Sequence, residues 1–140
     1  ISSAAILVAN EQDFGQKIIP NYHFGEAEVI VSFGADFLGT WISPVEYSAG
    51  YTKNRMIKDV KHPKMSRHIQ VDSFMTMTGS NADDRVIIKP SEQGAAIATL
   101  YNLIASKMGA ASVSAPKLSD GKEKELALYA EELIAHQGKS

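Results

Sequence analysis

Short apolar runs alternate with amphipathic segments along the chain, which is the pattern of an α/β domain. The run EVIVSFG (28–34) is apolar at nearly every position from Val29 to Phe33, as in a strand covered on both faces of a parallel sheet. Two further short strands are predicted at RHIQVDS (67–73) and RVIIK (85–89), each preceded by polar or turn-forming residues. These three runs predict a mostly parallel sheet.

Four helices are predicted around these strands. The first is capped by Ser2 or Ser3 and closed by Gly15. The second starts at SPVE (43–46), where the serine caps, the proline suits the first helical position and the glutamate reaches back to the cap amide. This second helix is expected to run toward Arg55 or Met56.

The third helix is expected to be capped by Ser91 and closed by Gly109. Its core-facing stripe is predicted to be Ile97, Leu100, Ile104 and Met108. After a loop over residues 110–120, Asp120 and Glu123 form a D-x-x-E start for the last helix. The predicted apolar face of that helix is Leu126, Ala130, Leu133 and Ile134.

Strands that alternate with helices indicate a three-layer α/β sandwich with right-handed crossovers. A length of 140 residues suits one domain, covering residues 1–140. The sequence opens with Ile1 and not Met, so we expect it to be part of a longer polypeptide.

Composition excludes several classes of function. A net charge of −2 without a dense basic cluster argues against nucleic acid as a partner. Apolar runs stay well short of the roughly 20 residues that cross a bilayer, so we expect no direct membrane insertion. The chain has no cysteine, which removes disulfides, thiolate metal ligands and cysteine nucleophiles.

Ligands of α/β sheets bind outside the carboxyl ends of the strands, here FGADFLGTW (33–41), VDSFMTMTGSN (71–81) and KPSEQG (89–94). The stretch GADFLG lacks the following Lys-Ser/Thr of a phosphate loop, and no three-glycine dinucleotide motif is present. The four histidines have no metal-ligand spacing, and we expect them at the surface or at strand ends. Asp83 and Asp84 are expected to point apart as turn residues.

Three segments carry a family resemblance: EVIVSFGAD (28–36), HIQVDS (68–73) and ADDRVIIKPSEQGAAIATLYNLI (82–104). In order and spacing they resemble a Rossmann-like α/β domain of the molybdopterin oxidoreductases, the superfamily of dimethylsulfoxide reductase and formate dehydrogenase. In that family, turns at these places hold the guanine dinucleotide arms of the cofactor. The resemblance thus implies molybdopterin guanine dinucleotide as the ligand of such a domain.

Carried onto this chain, the family turns mark a set of positions for cofactor binding, and no residue for catalysis or metal ligation. Three departures weaken the site: Phe74 stands where the family has arginine, Gln93 replaces a carboxylate that suits guanine, and Glu92 would repel phosphate. We therefore expect the positions to be vestigial. They are Gly34, Ala35, Asp36, Asp72, Ser73, Pro90, Ser91, Gln93 and Gly94.

Two longer strings, VSFGADFLGTWISPVEY (31–47) and MSRHIQVDSFMTMTGSNADDR (65–85), look like the molybdopterin-oxidoreductase-like subunit of bacterial alternative complex III. That resemblance implies a respiratory, quinol-oxidising complex that is periplasmic or membrane-associated, with iron-sulfur clusters elsewhere in the parent chain and with iron-sulfur and cytochrome subunits as partners. It also implies a scaffold without its own cofactor and without activity as an isolated piece.

Two alternatives stay open. The chain could be the pterin-binding domain of a working molybdenum or tungsten oxidoreductase. The strand and turn EVIVSFGADF (28–37) also resemble the cofactor-free central domain of thiamine-diphosphate enzymes, although the segment from Ala82 to Gly94 matches that family less well.

Overall fold

The computed structural model describes residues 3–119 and 121–140, which form an α/β domain with one three-stranded parallel sheet and five helices. Ser2 and Asp120, two predicted helix caps, lie outside the described residues. None of the helices in the described ranges is long and apolar enough to cross a membrane. In chain order the elements are α1 (Ala4–Phe14), β1 (Val29–Phe33), α2 (Pro44–Arg55), β2 (Arg67–Asp72), α3 (Met77–Ser80), β3 (Asp84–Ile87), a 3-10 turn (Pro90–Glu92), α4 (Gln93–Met108) and α5 (Lys122–Ala135).

The strand order is β1-β2-β3, and both pairs are parallel. All three strands lie where the apolar runs predicted them. In the register, Phe33 pairs with Val71, and Val71 pairs with Val86. Because parallel strands end at the same edge of a sheet, the segments that follow β1, β2 and β3 share one edge.

Apolar side chains cover both faces of β1, as its sequence predicted. Val29 belongs to a buried cluster with the centres of β2 and β3 and with Leu126 and Tyr129 of α5. Its neighbour Ile30 points to the opposite face and packs with Phe37, Tyr47 and Tyr51. These two tyrosines of α2 are core residues.

The buried face of α4 differs from its predicted stripe. Ile97 and Met108 are 47% and 54% exposed. Alanines take the buried positions of α4 instead, because small side chains let a helix lie close to its neighbours. The buried residues of α4 are Ala95, Ala96, Leu100 and Ala105. Gly109 ends the helix with a left-handed φ of 71°, as predicted.

Three local predictions need correction. The segment after β2, predicted as a turn, forms the one-turn helix α3, whose cap Thr76 accepts a hydrogen bond from the Gly79 amide at 2.9 Å. Ser91 lies inside the 3-10 turn and does not cap α4. Pro44 begins α2 as expected, but the Ser43 hydroxyl donates to the Glu46 carboxylate at 3.3 Å and does not cap the backbone.

The loop follows the prediction over the described residues. The last helix does so at Leu126 and Ala130, but Leu133 and Ile134 are only half-buried. Residues 110–119 have no regular structure, and α5 buries Leu126, Tyr129 and Ala130. Glu123 accepts a hydrogen bond from the Leu118 amide at 3.0 Å, which ties the end of the loop to the first turn of α5.

Candidate functional site

Contacts join all three predicted turns at the carboxyl edge of the sheet. The Gly34 amide, directly after β1, donates to the Val71 carbonyl of β2 at 2.9 Å. The Ile88 amide, after β3, donates to the Asp72 carbonyl at 3.0 Å. Gln93, at the start of α4, extends its side chain over Gly34. The third turn therefore contacts the first across the intervening strand β2.

Gly34 is the residue on which Gln93 packs. Its φ is +61°, a left-handed conformation that glycine adopts without strain. A β-carbon at this position would lie 2.5 Å from the Gln93 Nε2 atom. Since real contacts of this kind are longer, the glutamine amide occupies the space above the glycine that a close-approaching ligand would need.

We expect Gly34→Ala to lower the free energy of unfolding by about 1 to 2 kcal/mol, because alanine in the left-handed region is strained and its methyl group must displace the Gln93 amide. Urea denaturation monitored by circular dichroism measures this change. Gly94→Ala is the matched control: its added methyl meets no atom within 4 Å, so it should be neutral or stabilising. A stability change below about 0.5 kcal/mol for Gly34→Ala would contradict the prediction.

Asp36 is occupied by hydrogen bonds to neighbouring loops. One carboxylate oxygen accepts from the Thr78 amide at 3.1 Å and from the Thr78 hydroxyl at 2.9 Å. The other accepts from the Thr40 hydroxyl at 3.1 Å. Partial burial raises the pKa of Asp36, but the bonds from Thr78 and Thr40 outweigh it and leave the pKa below its usual value. Asp36 thus joins the loop after β1 to α3 as a charged acceptor.

Asp72 ends β2 in a buried ion pair. Its side chain is 2% exposed, and Oδ1 lies 2.6 Å from Nη2 of Arg85, whose side chain is 19% exposed. Gly79 lies against the pair, so that a β-carbon there would be 2.7 Å from the Asp72 Oδ2 atom. Within the described residues, Oδ2 of Asp72 and Nε of Arg85 have no hydrogen-bond partner. Next to this pair, Ser73 is half-buried and Phe74 is 71% exposed.

The third turn is the most exposed of the three. Pro90, Ser91 and Gly94 are exposed. Between them, Glu92 accepts hydrogen bonds from the Ser119 amide at 3.0 Å and from the Lys89 amide at 3.3 Å. The bonds from Ser119, and then those from Lys89, hold the pKa of Glu92 below its usual value. A carboxylate therefore lies at the helix start where a phosphate would have to bind.

A buried polar chain inside the sheet was not predicted. His68 is fully buried in β2, so the surface expectation is wrong for this histidine. Its Nδ1 lies 3.0 Å from the Tyr51 hydroxyl, which donates to the Asn81 carbonyl, also at 3.0 Å. Because a phenol has one proton, Nδ1 must be the protonated nitrogen and donate to Tyr51. Burial raises the pKa of Tyr51 to about 12.

Gln70 lies at the other end of this series of hydrogen-bonded side chains. Its Oε1 lies 3.3 Å from Nε2 of His68, and its Nε2 has no partner among the described residues. Rotating the Gln70 amide by about 180°, which exchanges its Oε1 and Nε2 atoms, would let Gln70 donate to the unprotonated Nε2 of His68. The only sequence signal was the alternation of polar and apolar residues in β2, which ordinarily indicates a half-exposed strand.

Asp83 and Asp84 point apart, as predicted, and both are held in ion pairs. Asp84 is the first residue of β3, so the prediction of a turn residue is wrong for it. Asp83 makes a two-bond contact with Arg55, at 2.8 Å for each oxygen. Asp84 lies 2.5 Å from Nη2 of Arg67. Their role is to fasten α2 and β2 to the start of β3. Over the described residues, no group of three histidine or acidic side chains is placed to hold a metal ion.

Two clefts lie away from the three turns. One of about 590 Å³ opens at the amino ends of β1 and β2, near Glu28 and Ser66, with lysines and carboxylates mixed along its walls. A second, of about 370 Å³, runs beside β1 and is lined by Tyr22, Val31 and Lys139 among others. Mixed charge and the pairing of Glu28 with Lys64 and Lys139 give the first cleft no selective ligand chemistry.

Comparison with known proteins adds no family assignment. Neither a scan against protein-family models nor a search of curated proteins finds a significant match to this chain.

Proposed function

We propose that this chain is a molybdopterin-oxidoreductase-like α/β domain of a respiratory electron-transfer subunit, in which it serves as a scaffold without a cofactor of its own. The observation that carries the proposal is the position of Gln93. Its amide fills the space above Gly34, where the resemblance places a turn that touches the guanine dinucleotide. The junction between β3 and α4 thereby becomes a packing contact.

The residues of the three turns do not fit a pterin guanine dinucleotide. A pyrophosphate needs free amides or cations, but Asp36 and Glu92 are anionic and already accept hydrogen bonds from within the chain. Arg85, the cation next to the second turn, is paired with Asp72. Guanine recognition needs an acceptor for its donor edge, and Gln93 offers a neutral amide instead of a carboxylate.

The finer architecture belongs to the same proposal. Apolar clusters on opposite faces of β1 involve α5 on one side and α2 on the other. This distribution supports a three-layer, Rossmann-like arrangement with a parallel sheet in the middle. A scaffold of this kind would contribute surfaces to other domains of its subunit, and to iron-sulfur and cytochrome subunits, in a periplasmic or membrane-associated complex.

The test is the content of molybdenum, tungsten and oxidised pterin in the full-length polypeptide that contains this chain, purified from its native host. Metal by mass spectrometry and pterin by fluorescence should both be absent. About one metal and one or two pterins per chain would overturn the scaffold proposal and favour a working molybdenum or tungsten oxidoreductase.

A second candidate, binding of one guanine dinucleotide arm, has one observation in its favour. The exposed Ser91 and Gly94 leave the start of α4 open, and a β-carbon on Gly94 would meet no atom within 4 Å. Amide exchange with and without added guanosine diphosphate tests it. Slower exchange around Gly34, Asp72 and Ser91 would support this candidate, and unchanged exchange supports the scaffold.

A further inference from the structure

The outer edge of β1 has unpaired backbone groups. The Arg67 amide donates to the Glu28 carbonyl, and the Gly34 amide donates to the Val71 carbonyl. Given the register of β1 and β2, residues 28, 30, 32 and 34 bond to β2, so Val29, Val31 and Phe33 direct their N–H and C=O groups away from it. Within the described residues, no hydrogen bond reaches the outward amides of Val31 and Phe33.

This edge lacks the features that normally protect an edge strand. Exposed edges carry lysine, proline, bulges or other charges that prevent pairing with another strand. The strand VIVSF has none of these, and its residues are buried or half-buried on both faces. Strands that are buried on both faces are typical of parallel sheets. The β1 edge therefore has the character of an internal strand.

The segment after α5 contacts the start of this edge. The Lys139 carbonyl accepts from the Glu28 amide at 2.7 Å and from the Val29 amide at 3.4 Å. It occupies the position at which a neighbouring strand would make its first bond to β1. Beyond it, the groove of about 370 Å³ runs beside Val29 and Val31, with Tyr22 and Phe24 on its wall.

We propose that the β1 edge pairs with a fourth, parallel strand, contributed by the longer polypeptide of which this chain forms one domain. The proposal rests on the proposed function, since a large parent subunit is part of it. Helices α4 and α5 carry the chain from β3 back to β1 over the face opposite α2. A strand reached by that path lies beside β1 and parallel to it, with the usual right-handed crossover.

A second copy of the chain fits the same edge less well. Two β1 edges would pair antiparallel about Val31, and the Val29 amide of each copy would then bond to the Phe33 carbonyl of the other. The Val29 amide already donates to the Lys139 carbonyl, which competes with that bond. A parallel strand that enters beside Lys139 meets no such conflict.

Amide hydrogen exchange tests the proposal in the 140-residue chain and in the full-length polypeptide. In the chain, Val31 and Phe33 should exchange fast while Ile30 and Ser32, which bond to β2, exchange slowly; this contrast within one strand is the internal control. In the full-length polypeptide, exchange at Val31 and Phe33 should slow by about a hundredfold or more. Fast exchange at Val31 and Phe33 in the full-length polypeptide would overturn the proposal. So would protection of these amides in the isolated chain that increases with protein concentration as a dimer forms.

Val31→Pro gives a second readout. It removes an outward amide and a partly buried side chain that packs against the core, but no amide bonded to β2, so the chain should keep its β1–β2 pairing at a reduced melting temperature. The full-length polypeptide should lose protection at Phe33. Ile30→Pro, which removes an amide bonded to β2, is the control. It should disrupt the β1–β2 pairing in both the 140-residue chain and the full-length polypeptide. The metal and pterin content of the same preparation tests the proposed function separately. The scaffold proposal and the fourth-strand proposal can therefore fail independently.

Discussion

Asp72→Asn is expected to lower the free energy of unfolding by about 3 to 5 kcal/mol. The substitution keeps the shape of the side chain but leaves the guanidinium of Arg85 as a largely buried charge without its partner. A loss of this size would be a large part of the stability of a domain of this length. Urea denaturation at pH 7, with the slope checked for two-state behaviour, measures it.

The control for this experiment is Asp13→Asn on the exposed face of α1, which should change stability by no more than about 0.5 kcal/mol. Arg85→Met should also be destabilising, but the double variant Asp72→Asn/Arg85→Met should lose less than the sum of the two, by about 1 kcal/mol or more. Simple additivity would mean that the two side chains do not interact in solution.

Acidification from pH 6.5 to pH 4 is expected to lower the free energy of unfolding by roughly 3 kcal/mol through His68 alone. Burial, aided by the nearby charge of Arg55, lowers the pKa of His68 to about 4. In the unfolded chain the imidazole takes up a proton near pH 6.5, while the folded chain takes it up only near pH 4. The unfolded state thus binds more protons over this window, and stability falls as the pH falls.

Urea denaturation at half-unit steps of pH measures this dependence. His68→Asn keeps a donor toward Tyr51 and removes the titrating ring, so its stability should be nearly flat from pH 6.5 to pH 5, whatever it loses at neutral pH. Below pH 5, carboxylates with lowered pKa values, such as Asp36 and Glu92, add a loss of their own in both proteins. His62→Asn is the control, because the side chain of His62 is 85% exposed; its profile should match that of the unsubstituted protein. An unchanged slope in His68→Asn would show that other groups cause the acid sensitivity.

The sequence predicted the position of the candidate site but not the contacts of its polar groups. The glycine after β1, the aspartate at the end of β2 and the proline before α4 were predicted to share one edge, and Gly34, Asp72 and Pro90 do lie there. What each polar group contacts was not predictable. Asp36 bonds to Thr78, 42 residues later, and Gln93 packs on Gly34; such contacts depend on strand register and loop path, which no local pattern encodes.

By itself, the sequence determined the elements whose signals act over a few residues: the apolar runs that form β1, β2 and β3, the proline that begins α2 and the glycine that closes α4. The tertiary structure decided which faces are buried. It buries His68 and Gln70 inside the sheet, turns the alanines of α4 inward, and holds the β-branched Ile42 at a φ of 54°. Propensity and capping are local, whereas burial depends on which distant segments pack together, and that packing can outweigh local preference.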